Sequence, residues 1–186
     1  RASLPPEPAA AAPAPAARSR RDWSRWAMPL AASLALAIGL NTMLATRRSQ
    51  GVLADELVAG HVRSLQAEHL ADVASTDQHT VKPWFAGRLD YAPPVRDLAA
   101  QDFPLTGGRL DYVEHRQVAA LVYRHRKHII NLYVWPGGGG SIPEVRSQDG
   151  YSLVHWSQGG MEWWAVSDLN AVELKQFAEL QIAAGT

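Results

Sequence analysis

The sequence predicts an α+β fold: a single transmembrane helix followed by an antiparallel β-sheet domain flanked by an N-terminal and a C-terminal helix. Three observations predict it. Residues 26–45 form a run of twenty without a charge. Residues 52–74 carry apolar side chains three and four apart, the period of a helix. From Arg109 onward, β-branched and aromatic runs alternate with short hairpin-forming separators.

The first 22 residues are rich in Ala and Pro, with Pro5, Pro6, Pro8, Pro13 and Pro15. Repeated prolines deny a segment its helix and ladder hydrogen bonds, so residues 1–22 read as a disordered cytoplasmic linker. The transmembrane helix is assigned to residues 23–46. At 1.5 Å rise per residue its uncharged stretch is about 30 Å long, the thickness of a bilayer's hydrocarbon core. Pro29 falls in the first turn of the uncharged stretch that begins at Trp26, where its missing N–H does least harm. Trp23 and Trp26 suit an interfacial aromatic belt. A buried soluble helix and a cleaved signal peptide are the competing readings. Against the second, Thr42, Met43 and Leu44 leave no small-x-small cleavage site before Thr46 or Arg47. Arg18, Arg20, Arg21 and Arg25 precede the stretch, and Arg47 and Arg48 follow it. That bias places the N-terminus inside and residues 47–186 outside. In a bacterium the expected location is then the inner membrane, single-pass, with residues 47–186 periplasmic and the lipid bilayer as one partner.

Eighteen basic and eighteen acidic residues cancel to a formal net charge of zero, which gives no reason to expect direct nucleic-acid binding. The absence of cysteine excludes disulfides, zinc ribbons and thiol catalysis in this chain.

Within the expected periplasmic domain, Val52, Leu53, Leu57, Val58, Val62, Leu65, Leu70 and Val73 make one helical stripe, with Asp55, Glu56, Arg63 and Glu68 on other faces. Residues 74–108 hold four prolines and three glycines without a sustained period and read as mostly irregular with short elements. RLDYV (109–113), QVAALVYRHR (117–126) and HIINLYVWP (128–136) read as strands. Residues 137–141 read as a flexible loop. YSLVHWSQ and MEWWAVSD flank Gly159 and Gly160, a hairpin signal. Asp168 or Asn170 caps a last helix that packs through Leu174, Phe177, Leu180 and Ala178.

The chemistry-bearing residues assemble no active site. Seven histidines lack the H-x-x-x-H and H-E-x-x-H spacings of metal sites. No metal centre or cofactor is expected, with His79 and His128 the weak candidates for ligands. No serine stands in a G-x-S-x-G elbow and no glycine-rich loop ends in Lys-Ser/Thr, so the chain does not read as an enzyme. His79, Lys82, Trp84 and Phe85 fit two readings. They line a pocket for an anion or small ligand, or the aromatics pin a loop to the core while His79 and Lys82 bond nearby carbonyls. Arg88-Leu89-Asp90-Tyr91 and Arg109-Leu110-Asp111-Tyr112 read as structural side-chain hydrogen bonding.

Three stretches, STDQHTVKPWFAGRLDYAPPVRDL, FPLTGGRLDYV and VAALVYRHRKHIINLYVWP, resemble the exported domain of bacterial transmembrane anti-sigma factors of the extracytoplasmic-function type. The resemblance covers roughly residues 60–183. It matches Asp77, His79, Lys82, Trp84 and Phe85 in the first stretch, Arg109, Asp111 and Tyr112 in the second, and His128 and Asn131 in the third. These are the expected ligand- or signal-sensing residues. The resemblance implies a membrane-anchored negative regulator of transcription initiation that couples an envelope signal to release of a sigma factor. It implies a sigma factor bound through an upstream segment that is not in this chain, and a regulatory protease as a further partner. The start at Arg1 reads as processing or as part of a longer protein. The alternative is an envelope ligand- or metal-binding module with no sigma partner.

Overall fold

The computed structural model describes residues 21–66, 70–138 and 140–185, with the side chains at 21–28, 30, 46 and 47 outside that description. Most of the expected 1–22 linker therefore lies outside the described residues. The chain divides into two compact units, Arg1–Thr46 and Arg47–Thr186. Helix α1, Arg21–Ser64, contributes to both.

In the first unit, Leu34, Leu36, Ile38, Leu40, Met43 and Leu44 are all exposed, Leu36 by 74%. Among the described residues no helix is long and apolar enough to cross a membrane. Trp26, Ala27, Met28 and Leu30, inside the expected transmembrane helix, have side chains outside the described set.

The second unit is the α+β domain. Its sheet is antiparallel, with strands in the order β1-β2-β3-β4-β7-β6-β5. These are β1 (Val73–Ala74), β2 (Leu105–Val113), β3 (Arg116–His125), β4 (His128–Pro136), β5 (Ser141–Gln148), β6 (Tyr151–Gln158) and β7 (Met161–Ser167). Two meanders, β2-β3-β4 and β5-β6-β7, join where β4 pairs with β7. Three turns, at Glu114 and His115, at Asp149 and Gly150, and at Gly159 and Gly160, place both central residues at positive φ. That conformation matches the twist of the strands they connect.

The sheet is apolar on both faces, and two layers cover it. Tyr123, Trp156 and Trp163 pack with Phe85 and Val81 of the α2 region (α2, Gln78–Trp84) and with Leu174 and Phe177 of α3 (Ala171–Ala183). On the opposite face Val113, Tyr133, Trp135, Leu153, Trp164 and Val166 receive Ala54, Leu57 and Val58 of α1. The Asn170 side chain caps α3, accepting a hydrogen bond from the Glu173 amide at 2.9 Å. Of the expected packing face, Leu174, Phe177 and Ala178 are buried and Leu180 is half-buried, while Gln181 joins the core.

Three expectations need correction. The helix predicted over 52–74 ends at Ser64. Its buried stripe is Ala54, Leu57, Val58, His61 and Ser64, leaving Val52, Val62 and Leu65 exposed. Beyond it, the edge of β2 captures the chain. The Asp72 amide donates to Gly108 O at 3.0 Å and the Ser75 amide to Thr106 O at 3.2 Å, so Val73 enters β1. Within residues 74–108, read as mostly irregular with short elements, residues 78–84 form one such element, α2, because Asp77 caps it, its carboxylate accepting from the His79 amide at 2.8 Å. The strand predicted from Arg109 begins at Leu105. It does so across two glycines, and at Gly108 a side chain would press on the Phe85 ring, its Cβ 3.0 Å from Cζ. Finally, Ser141 starts strand β5 instead of closing a loop.

Phe177→Ala removes a fully buried ring between Phe103 and Tyr123 and should cost about 3–5 kcal/mol in denaturant unfolding. Val172→Ala, at an exposed position of the same helix, should stay within about 0.5 kcal/mol.

Candidate functional site

The α1 face of the sheet carries most of the domain's buried polar chemistry. The last turns of α1 and the middle of β2 enclose a cavity of about 430 Å³, lined by Gly60, Arg63, Ser64, Gln66, Asp72, Arg109, Leu110 and Asp111. Arg109 is buried there. Its guanidinium donates to Asp111 Oδ2 at 2.9 Å, to the Tyr133 hydroxyl at 3.2 Å and to Leu70 O at 3.3 Å. The other Asp111 oxygen accepts from the Tyr112 amide at 2.9 Å. Burial pushes the Tyr133 phenol far above its ordinary pKa, opposed in part by the charge on Arg109. Tyr133 thus stays neutral and serves as a hydrogen-bonding strut. Gly60 makes room for it, since a Cβ at that position would lie 2.9 Å from the Tyr133 hydroxyl.

On β4, two residues before Tyr133, the buried Asn131 donates from Nδ2 to Ser64 Oγ at 2.7 Å. The Ser64 hydroxyl donates onward to His61 O at 2.7 Å. His61 is fully buried, edge-on to Tyr151 with ring centroids 5.4 Å apart. Neither of its ring nitrogens has a hydrogen-bond partner among the described residues. Desolvation, helped by the positive charge of Arg109 and opposed by Asp168, lowers its pKa from 6.5 to about 4.

Arg109, Asp111 and Asn131 are thus the sequence candidates that meet on one face. Tyr112 is 57% exposed and Asp111 reaches only its amide. His128 is half-buried at a strand end, its Nδ1 2.9 Å from Asp168 Oδ1. The α2 group is spread along an anchoring helix. Asp77 caps it, Val81 and Phe85 enter the core, and His79 and Lys82 are exposed. Trp84 lies edge-on to Phe85 at 5.1 Å beneath the Arg88 guanidinium, which is 4.4 Å from the ring centroid. Of the two readings of this segment, the geometry fits the aromatics pinning the loop. Tyr91, in the other Arg-Leu-Asp-Tyr sequence, donates from its hydroxyl to Val134 O at 2.7 Å and accepts from the Ala119 amide at 2.9 Å.

Sequence reasoning missed His61, although its spacing from Ala54, Leu57 and Val58 puts it on the packing stripe. It also missed a second polar group on the same face. His155 stacks on Trp164 at 4.4 Å and sits 2.5 Å from Glu162 Oε2, which also accepts from Ser157 Oγ at 2.9 Å. The Ser157 hydroxyl is committed to the carboxylate rather than to the imidazole, so the three do not form a nucleophile–base relay. Among the described residues, no group of three or more His, Asp or Glu is placed to hold a metal ion.

No protein-family model, curated protein or solved structure matches the chain. The fold itself defines an α+β domain whose antiparallel sheet is covered by helices on both faces.

Arg109→Ala strips a buried charge from Asp111 and Tyr133 and should lower unfolding stability by about 3 kcal/mol. His79→Ala and Lys82→Ala, each at an exposed position, should each change it by no more than about 0.5 kcal/mol in the same denaturant series.

Proposed function

We propose that the chain is a membrane-anchored anti-sigma factor: a negative regulator of transcription initiation whose exported domain, residues 47–186, couples an envelope signal to release of a sigma factor. The observation that carries this reading is an uncharged twenty-residue helical stretch followed directly by a domain bearing the three quoted motif stretches. Within that stretch, Leu34, Leu36, Ile38 and Leu40 are exposed and, at 100° per residue, fall on two opposite sides of the helix. A helix with leucine or isoleucine on opposite sides suits a hydrocarbon surrounding better than water. The arginines on either side favour an N-terminus inside. The sigma factor binds through a segment upstream of Arg1, and a regulatory protease acts as a second partner. Most motif residues then serve to build the domain: Asp77 caps, Phe85 anchors, and Arg109, Asp111 and Asn131 organise the α1 face.

The test is a pair of reporter fusions, alkaline phosphatase and green fluorescent protein at each end, with a pull-down of the full-length gene product. The proposal expects phosphatase activity only at the C-terminus and recovery of a sigma subunit. Equal fluorescence from both ends, or a pull-down empty of sigma factor, contradicts it.

The cavity beside Arg63, Asp72, Arg109 and Asp111 favours a second reading, an envelope ligand-binding module without a sigma partner. Calorimetry with zinc, copper and small anions discriminates, since no heat across that panel counts against this module.

A further inference from the structure

His61 is a fully buried titratable group on the α1 face, and its ring takes no part in the hydrogen bonding among the described residues. It shares its helix face with Ala54, Leu57, Val58 and Ser64, all buried against the sheet. Both of its ring nitrogens lack partners among the described residues. A neutral imidazole there already forgoes a hydrogen bond, and an imidazolium would add an unsolvated charge. The groups facing it offer little compensation. From β2, Arg109 repels a cation. From beyond β7, Asp168 attracts one, but its carboxylate is solvent-exposed and lies 2.9 Å from His128 Nδ1 at the start of β4. From β6 and β4 come Tyr151 and Tyr133, the latter a phenol that stays neutral. On its own helix the nearby charge is Arg63, again positive and exposed.

The layer that His61 helps to seat is also the slighter of the two. The α1 residues in the core are Ala54, Leu57 and Val58, whereas the layer on the opposite face brings Val81, Phe85, Leu98, Phe103, Leu174 and Phe177. Losing the first layer leaves the larger cluster in place. We infer that His61 is a proton-operated latch: protonation of its ring releases residues 54–64 of α1 from the sheet, opening the Ser64–Asn131 hydrogen bond, while the opposite layer keeps the sheet folded.

The sign follows from linkage. The released histidine titrates near its ordinary 6.5 and the docked one near 4, so the released state takes up a proton that the docked state refuses. Docking is therefore fully favoured above about pH 6.5 and weakens progressively as pH falls toward about 4. Between pH 7.5 and pH 5 the released-to-docked ratio should rise about thirtyfold, from that difference in proton affinity. The latch is a property of the 47–186 domain and does not depend on which compartment holds it.

Hydrogen exchange on the full chain in mild detergent, at pH 7.5 and pH 5 and corrected for intrinsic exchange rates, tests this directly. The expected result is an opening constant for amides 54–64 about thirtyfold larger at pH 5, with the amides of β3 and β4 unchanged. In His61→Leu that ratio should fall close to one. Equal opening constants at the two pH values, an undiminished pH effect in the leucine variant, or opening of β3 and β4 in step with α1 would each overturn the latch. Should His61→Leu fail to fold, an NMR titration of the wild-type ring decides: a pKa near 4 supports the latch, and an unshifted one refutes it.

Discussion

The domain is organised by a sheet that cannot face water on either side. Residues 118–123 of β3 and 130–135 of β4 are buried one after another, so alternation supplies no solvent face in the middle of the sheet. An antiparallel sheet with one wet face needs a single covering layer, but this one needs two. The chain meets that need from its two ends, with α1 on one face and α3 joined by the α2 segment on the other. The domain's first helix is thus a structural layer of the fold and not merely a stem leading into it.

The two layers differ in degree. Beneath α3 and α2 a large aromatic cluster dominates, with His125 and Gln181 buried at its margins and the Arg96 guanidinium over Trp163. Beneath α1, apolar packing is mixed with Arg109, Asp111, Asn131, Ser64 and His61, joined by hydrogen bonds from two strands, β2 and β4, and the helix. Buried polar groups hold an interface well when every partner is present and weaken it when one is missing or changes charge. An interface of that composition can be released without dismantling the rest of the core. That property suits the proposed role of a domain that reports a signal, in which the last turns of α1 would be the element that responds.

Much of this was legible from local pattern. The glycine pair at 159 and 160 fixes a hairpin, the branched and aromatic runs fix β3, β4, β6 and β7, and the helix ending the chain follows from its cap and its spacing. What escaped was set by tertiary contacts. β5 is an edge strand with Pro143 and a bulge between Ser141 and Glu144, and its half-exposed, polar residues show no period. The predicted helix overshot because Leu65, Leu70 and Val73 continue the helical spacing, while the free edge of β2 draws residues 72–75 into backbone pairing. The Arg109–Asp111 pairing was readable as structural hydrogen bonding from its sequence context. Its convergence with Asn131 and His61 was not, because those residues come from a different strand and from a helix far away in sequence.

Both the two-layer fold and the latch require the end of α1 to be docked on β4 through specific contacts, and a double-mutant cycle on Ser64 and Asn131 tests that docking most directly. Ser64→Ala, Asn131→Ala and the double variant would be compared with the parent chain by denaturant unfolding at pH 7.5. A buried bond of 2.7 Å between the two side chains predicts a coupling energy of about 1 kcal/mol. Strictly additive losses would contradict the docking, and with it the view that α1 is one of the two layers on which the sheet depends.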